Sequence, residues 1–152
     1  MTKPAEITRR AKSNLAFAFM CVPQERRPDL NVFYAFCRVV DDIADDTSRP
    51  PEEKRIALQN WMQAIEREDH PKNSLEAQVV DMRKRHSIEP SLLQEIIRGC
   101  ESDLSPQRFE TWEDLQQYSY RVASTVGLIL LPLFGASEEA RDYSISLGHC
   151  LQ

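Results

Sequence analysis

From Tyr34 to Asp46 the chain reads Tyr-Ala-Phe-Cys-Arg-Val-Val-Asp-Asp-Ile-Ala-Asp-Asp, and this stretch limits the fold more than any other. As a helix at about 100° per residue it gathers Tyr34, Arg38, Asp41 and Asp45 into an arc of roughly 60°. Phe36, Val40 and Ile43, with Phe33 and Ala44 at the margin, form an apolar stripe on the other side, suited to an all-helical core. Both sides of the helix are therefore committed. Asp41, Asp42, Asp45 and Asp46 crowd its end just before Pro50 and Pro51. There the macrodipole is negative and like charges repel, so local stability does not favour the arrangement. A divalent cation reverses that sign, because hard oxygen ligands one turn apart suit Mg²⁺ shared with a phosphate group. A solvated acidic helix end is the alternative for such a string. Arg38 and Tyr34, in line with the acids and able to donate to phosphate oxygens, favour a site.

The composition sets outer limits. A chain of 152 residues that is 41% hydrophobic with four glycines predicts one helical, globular domain. Its net charge of −5 gives no basic field for nucleic acid or anionic lipid, so a diphosphate would have to be held by local arginines and metal. Cys21, Cys37, Cys100 and Cys150 contain no closely spaced pair, which fits neither a zinc site nor a disulfide framework and points to a reducing cytoplasm. The longest apolar run, Val126 to Ala136, is interrupted by Pro132 and is about half a membrane span. Residues 1–14 are polar, unlike a signal peptide.

Pro4 predicts a helix opening near residue 5, with Ile7, Ala11, Leu15 and Phe19 at helical spacing up to about Met20. Pro23 ends it, and Asp29 stands as an N-cap for the helix from Leu30 to Asp46. Pro51, Glu52 and Glu53 restart a helix whose Ile56, Trp61, Met62 and Ile65 share one apolar side. The stretch from Ser74 to His86 is amphipathic but highly charged, as expected of a peripheral helix. His70, His86 and His149 have no spaced partner, and His70 beside Pro71 is expected to be exposed. Glu89-Pro90-Ser91 opens a helix that buries Leu92, Leu93, Ile96, Ile97 and Cys100. Thr111 and Asp114 fit a capping box, so a long helix is predicted from Trp112 to Pro132 or slightly beyond. Tyr118, Val122, Thr125 and Ile129 form its stripe, and the small Ala123, Ser124 and Gly127 let a neighbouring helix or a substrate chain approach its backbone. A phenol such as Tyr118 among apolar residues needs a hydrogen-bond partner, which a diphosphate oxygen would provide. A last helix starts after Gly135, with acids in its first turn. There is no internal repeat, low-complexity tract or Gly-rich phosphate loop.

Four segments together resemble the squalene/phytoene synthase family, the head-to-head prenyltransferases. Tyr34 to Asp46 resembles the family's first aspartate-rich motif, and SNLAFAFMCVP at Ser13 to Pro23 its SNFxxAFxxLP segment. GCESDL at Gly99 to Leu104 is similar to GxxxDL, and YSYRVASTVG at Tyr118 to Gly127 to YCYxVAGTVG. They occur in the family's order. Leu15 replaces an aromatic and Ser119 a cysteine, changes that bear on pocket shape. The family's second aspartate-rich segment, an NxxxD arrangement after a GxALQ-like stretch, is absent, the chain ending at Gly148-His-Cys-Leu-Gln152. The resemblance thus covers nearly all of this chain but about the first half of a family enzyme.

What the resemblance implies is an all-α helical bundle of the isoprenoid synthase type, with residues 1–152 as the N-terminal part of one domain, incomplete at its C-terminal side. It implies Mg²⁺-dependent joining of two identical prenyl diphosphates through a cyclopropyl diphosphate, with farnesyl diphosphate leading to presqualene diphosphate and squalene, or geranylgeranyl diphosphate to phytoene. General similarity leans toward the farnesyl chain, and no residue argues for reduction by NADPH. In this chemistry Asp41 and Asp45 hold the metal with Asp42 in support, while Arg38, Tyr34 and Tyr118 bind phosphate oxygens. Asp41, Asp45, Arg38 and Tyr118 form the catalytic group. Leu15, Phe17 and Phe19, with Val122, Ala123 and Gly127, line an apolar pocket that shields a carbocation from water. Asp103 faces the site to orient an arginine or hold a metal-bound water.

Without the second acid cluster, these 152 residues are not expected to couple substrates by themselves. Glu110 with Asp114 and Glu138 with Asp142 have one-turn spacing but lack the family's neighbouring Asn and Arg. The chain is expected to expose the apolar sides of the helices at 30–46 and 112–134, and so to self-associate or bind a complementary fragment. A cytoplasmic location is expected, and long prenyl tails are compatible with peripheral association with a membrane. Two other classes of function remain open on sequence: a non-catalytic relative acting in assembly or as a scaffold, and an all-α Mg²⁺-dependent diphosphate hydrolase, which would not need the segment at 118–127.

Overall fold

The computed structural model describes residues 4–6, 19–105 and 108–152. The opening helix expected near residue 5 lies mostly outside them, and Leu15 and Phe17 fall in the part not described. After a 3₁₀ turn, Phe19–Cys21, the helices are α1 (Arg27–Asp45), α2 (Pro51–Glu66), α3 (Leu75–Arg85), α4 (Pro90–Ser102) and α5 (Trp112–Ser119). A π turn, Tyr120–Ser124, joins α5 to α6 (Thr125–Phe134), and a 3₁₀ turn, Glu138–Ala140, leads into α7 (Arg141–Leu151). No strand occurs among the described residues. The chain is all-α, as expected.

α1 begins earlier than its sequence suggested. Pro28 fits the first turn, where its missing amide proton leaves nothing unsatisfied, so Asp29 lies inside the helix rather than at the N-cap. Its carboxylate instead accepts hydrogen bonds from Arg85 and, at 2.7 Å, from His86, which ties the start of α1 to the end of α3. His86 therefore has a partner that local spacing could not reveal. His70 is half-buried rather than exposed, with Nε2 2.8 Å from the carbonyl oxygen of Ala64 near the end of α2.

Phe36 and Val40 of α1 are fully buried against a core that includes Trp61 and Ile65 of α2, Met82 of α3 and Ile97 of α4. The Phe36 and Trp61 rings meet edge to face with centroids 5.5 Å apart, a favoured aromatic geometry. On α2 the buried side is Leu58, Trp61 and Ile65, at steps of three and four, and Ile56 is left outside it with 58% of its surface exposed. α3 is less peripheral than its charge suggested. It buries Val79, Val80 and Met82, and its basic residues Arg83, Lys84 and Arg85 gather in the last turn, where the dipole favours them.

The capping box forms as predicted: the Asp114 amide donates to Thr111 Oγ1 at 3.1 Å, and the Thr111 amide to Asp114 Oδ2 at 3.0 Å. Beyond it the predicted long helix is interrupted by the π turn, in which the Thr125 amide bonds to the carbonyl of Tyr120, five residues back. In an unbroken α-helix, eight residues would leave Val126 about 80° away from Tyr118. A π turn absorbs one additional residue and brings it within about 20°. The expected stripe is thereby divided. Thr125 and Ile129 turn fully into the core, and Val126 takes their place beside Tyr118 and Val122.

Two glycines hold this turn. A Cβ on Gly99 of α4 would stand 2.5 Å from Val122 Cγ1, and one on Gly148 of α7 would stand 2.5 Å from Ser124 Cα. Ser124 Oγ donates to the carbonyl of Ile145 at 2.9 Å, fastening α7 across the π turn. Thr125 Oγ1 donates to the carbonyl of Arg121 at 2.6 Å, satisfying an acceptor inside the turn.

The expected exposure of apolar helix sides is found elsewhere. The apolar side of α1 is covered, and between 112 and 134 only Trp112 and Phe134, at the two ends, are large and exposed. The apolar side chains left open in one row are Tyr143, Leu147 and Leu151 of α7, at 70%, 44% and 75% exposure. No described helix is long and apolar enough to cross a membrane.

Candidate active site

α1, α4 and the rod running from α5 through α6 enclose a cleft of about 330 Å³. Tyr34, Cys37, Arg38 and Asp41 line it from α1, Ile96, Cys100 and Asp103 from α4 and its C-cap, and Tyr118, Val122 and Val126 from the rod, with Gln152 at the end of α7. Charged and phenolic groups thus share one cavity with an apolar set. Tyr34, Arg38, Asp41, Asp103, Tyr118 and Val122, all expected at the site, are brought together there across more than eighty residues of sequence.

Arg38 Nη1 lies 3.1 Å from Asp41 Oδ2 and its Nη2 lies 2.6 Å from Asp42 Oδ1. All three side chains are about half exposed, so these pairs are held in water, where such contacts are weak. The guanidinium can therefore exchange a carboxylate for a phosphate at little cost. Burial raises the pKa of Asp41 above its ordinary value, and the charge of Asp45 raises it further; Arg38 opposes this, and Asp42 and Asp103 add to it. Burial likewise raises Asp103, with the hydroxyl of Tyr118 opposing and the charge of Asp45 reinforcing. Asp41, Asp45 and Asp103, drawn from two helices, therefore feel one another. Asp45 and Asp42 do not line the cleft itself.

Tyr118 donates its hydroxyl to Asp103 Oδ2 at 3.3 Å. Burial, followed by this bond and the Asp103 charge, pushes the phenol up to about 12, so it remains a proton donor at neutral pH. Asp103, expected to orient an arginine or hold a metal-bound water, thus also has the Tyr118 phenol as a hydrogen-bond partner. Burial also raises both thiols, Cys100 to about 12, so Cys37 and Cys100 line the cleft as neutral, weakly polar groups.

Phe19 is buried and meets Tyr34 edge to face, with centroids 6.1 Å apart. It backs the Tyr34 ring and is not among the lining residues. Ala123 and Gly127 do not line the cleft either. A Cβ at Gly127 would meet Ser144 Oγ at 2.3 Å, so that glycine serves the crossing with α7. Sequence reasoning missed Cys37, Ile96, Cys100, Val126 and Gln152. Cys37 and Asp41, like Ile96 and Cys100, are one helical turn apart, a spacing that would have flagged them once Asp41 and Asp103 were placed on one cleft. Gln152 closes the Gly148-His-Cys-Leu-Gln stretch, whose similarity to GxALQ was its only signal.

Among the described residues no three His, Cys, Asp or Glu side chains form a preassembled metal site. Mg²⁺ does not require one, since it keeps several waters and takes one or two carboxylates together with substrate phosphates. Burial raises Asp41 and Asp103 first, and the charge of Asp45 that reinforces it is the part a cation would relieve. Asp41 and Asp45 therefore fit a partial Mg²⁺ ligand set.

The profile of the squalene/phytoene synthase family matches residues 8–152. The chain belongs to the squalene/phytoene synthase family. Members of this family are prenyltransferases that condense prenyl diphosphates head to head. The chain is 29% identical over 132 residues to a 15-cis-phytoene synthase of Synechococcus elongatus, covering 86% of this chain and 42% of that protein. It is 31% identical over 132 residues to a phytoene synthase of Thermus thermophilus, covering 86% and 44%. It spans less than half the length of these curated relatives. The fold matches that of squalene synthase HpnC from Alicyclobacillus acidocaldarius with a TM-score of 0.81 at 24% identity, over 98% of this chain and 58% of the other. A ligand-bound dehydrosqualene synthase gives 0.77 at 23% identity, over 98% and 52%. The bundle is thus of the isoprenoid synthase type found in this family.

Proposed function

We propose that this chain forms one wall of the diphosphate-binding site in a Mg²⁺-dependent head-to-head prenyltransferase acting on farnesyl or geranylgeranyl diphosphate. The observation that carries this is the convergence of three phosphate donors, Arg38, Tyr34 and Tyr118, with Asp41 and Asp103 on a cleft that also has an apolar lining. The hard step is loss of diphosphate from an allylic carbon. Mg²⁺ held by Asp41 and Asp45, with Asp42 in support, would stabilise the charge that develops on the leaving group. Arg38 releases Asp41 or Asp42 to grip two phosphate oxygens at once. Tyr118 stays protonated and donates to a third oxygen, with Tyr34 beside it. Ile96, Val122, Val126 and the neutral Cys37 and Cys100 exclude water from the cation left on the prenyl chain.

Every acid on the cleft comes from α1 or the end of α4, and the chain covers less than half the length of its curated relatives. In this reading the remaining carboxylates come from a complementing polypeptide, in a longer chain or in trans. The open row Tyr143, Leu147 and Leu151 on α7, which ends beside the cleft residue Gln152, gives that polypeptide an apolar surface. The location consistent with four free cysteines is the cytoplasm, with peripheral membrane contact during transfer of long prenyl substrates.

The test is incubation of the purified chain with Mg²⁺ and each prenyl diphosphate, with calorimetry for binding and product analysis for turnover. Mg²⁺-dependent binding without coupled product is expected. Coupled product from the monomeric chain would remove the need for a complement. Prenyl alcohol and inorganic diphosphate alone would identify a hydrolase, and no binding at all would overturn the site.

A further inference from the structure

Tyr118 stands between two cavities. One is the cleft described above. The other, about 370 Å³, is lined by Tyr118 itself together with Arg108, Phe109, Glu110, Asp114, Arg121 and neighbouring polar groups. The hydroxyl is held on the first side by a single bond of 3.3 Å to Asp103, longer than the usual range for such a bond and thus a loose restraint. On the other side Phe109 packs on the ring with centroids 5.2 Å apart and planes tilted by 42°. Phe109 is 37% exposed, so it is no core residue. Its place is set from two positions away, where the capping box of Thr111 and Asp114 pins the chain to the first turn of α5.

We propose that Phe109 is a positioning residue that holds the Tyr118 hydroxyl toward the diphosphate site by packing against its ring and so opposing rotation of the phenol toward the second cavity. This rests on the assignment of Tyr118 as a phosphate donor. Without the Phe109 ring, the phenol loses the contact that opposes its turning toward the second cavity. Aromatic pairs of this kind shift an equilibrium by about two- to tenfold, and apparent affinity falls in proportion to the fraction of Tyr118 left in place. The pairing joins the segment before α5 to the last turn of that helix, and neither ring is in the buried core, so its loss should leave the helical core intact.

The experiment uses the full 152-residue chain labelled with 3-fluorotyrosine, the Tyr118 resonance being assigned by its absence in Tyr118→Phe. In Phe109→Ala the Tyr118 fluorine line should move and broaden, while the lines of Tyr34, Tyr120 and Tyr143 hold, and Phe109→Trp should restore it. Calorimetry with Mg²⁺ and the unreactive analogue farnesyl thiolodiphosphate provides the second readout. Tyr118→Phe should weaken binding about tenfold and Phe109→Ala about two- to tenfold, and the double variant should bind no more weakly than Tyr118→Phe alone. An unmoved Tyr118 line, a shift of all four lines together, or losses that multiply in the double variant would overturn the proposal. If the parent chain binds no analogue, the diphosphate assignment fails, and the fluorine line still decides whether Phe109 positions the phenol.

Discussion

Replacing Asp41 by asparagine should stabilise the fold while damaging the site, with a pH signature that identifies the cause. Asp41 is 51% exposed, one turn from Asp45 and within the field of Asp103, with Arg38 opposing both. Its carboxyl titrates above its ordinary value of 3.8, first because of burial and then because of Asp45. An acid whose pKa is raised by folding costs stability at neutral pH. The cost disappears as the pH falls below 3.8, where both states are protonated. A like-charge pair one turn apart costs about 0.2–0.5 kcal/mol, and burial, the larger cause, adds to it, with Asp42 and Asp103 contributing less. The exposed Arg38 pair returns about 0.2–0.5 kcal/mol, and Arg38 keeps Asp42 when Asp41 is neutralised. The net gain should be about 0.5 kcal/mol at pH 7, or about 1–2 °C in Tm for a chain of this size. Urea unfolding at pH 7 and pH 3, in low salt and in 1 M NaCl, measures it. The gain should be absent at pH 3 and reduced in salt, where the Debye length shrinks to about 3 Å. A loss of about 1 kcal/mol at pH 7, or a gain that survives at pH 3, would refute the reasoning. In the complemented enzyme, steady-state kinetics of Asp41→Asn and Asp45→Asn should each show turnover lowered at least about a hundredfold, and near-normal activity would remove either residue from the metal site.

Arg38→Lys should raise the Kd for prenyl diphosphate about tenfold in calorimetry while Mg²⁺ dependence persists, because an ammonium cannot span two phosphate oxygens; equal affinities would confine Arg38 to pairing with Asp41 and Asp42. Gly148→Ala should cost about 1–3 kcal/mol in urea melts, since its Cβ would meet the Cα and N of Ser124 at 2.5 and 2.6 Å, backbone atoms that no rotamer change can move. Gly99→Ala should cost less, because the atom it meets is the Val122 side-chain methyl Cγ1; equal costs would show that the π turn itself yields.

The helices, the order of the four motifs and the polar face of α1 were legible because each depends on spacing within a few residues. Capping at Thr111 and the termination of α1 before Pro50 are local in the same sense. Asp29 was misjudged as a cap because Pro28 fits a first helical turn as well as a connector, and only the arrival of Arg85 and His86 shows where its carboxylate goes. Ile56 was misjudged because apolar character alone does not say which part of a broad stripe meets the neighbouring helix.

Local periodicity by itself determined that Tyr34, Arg38, Asp41 and Asp45 share a face and that the chain is all-α, because backbone hydrogen bonding fixes the angle between residues one turn apart. Tertiary structure alone decided which residues complete the cleft. The π turn that exchanges Thr125 and Ile129 for Val126 is clasped by Gly99 and Gly148, on helices that begin far away in sequence, and no count of residues within 118–129 contains that contact. Asp103, Tyr118 and Gln152 reach Asp41 for the same reason: helix packing, rather than the propensity of any one segment, sets the distance between them.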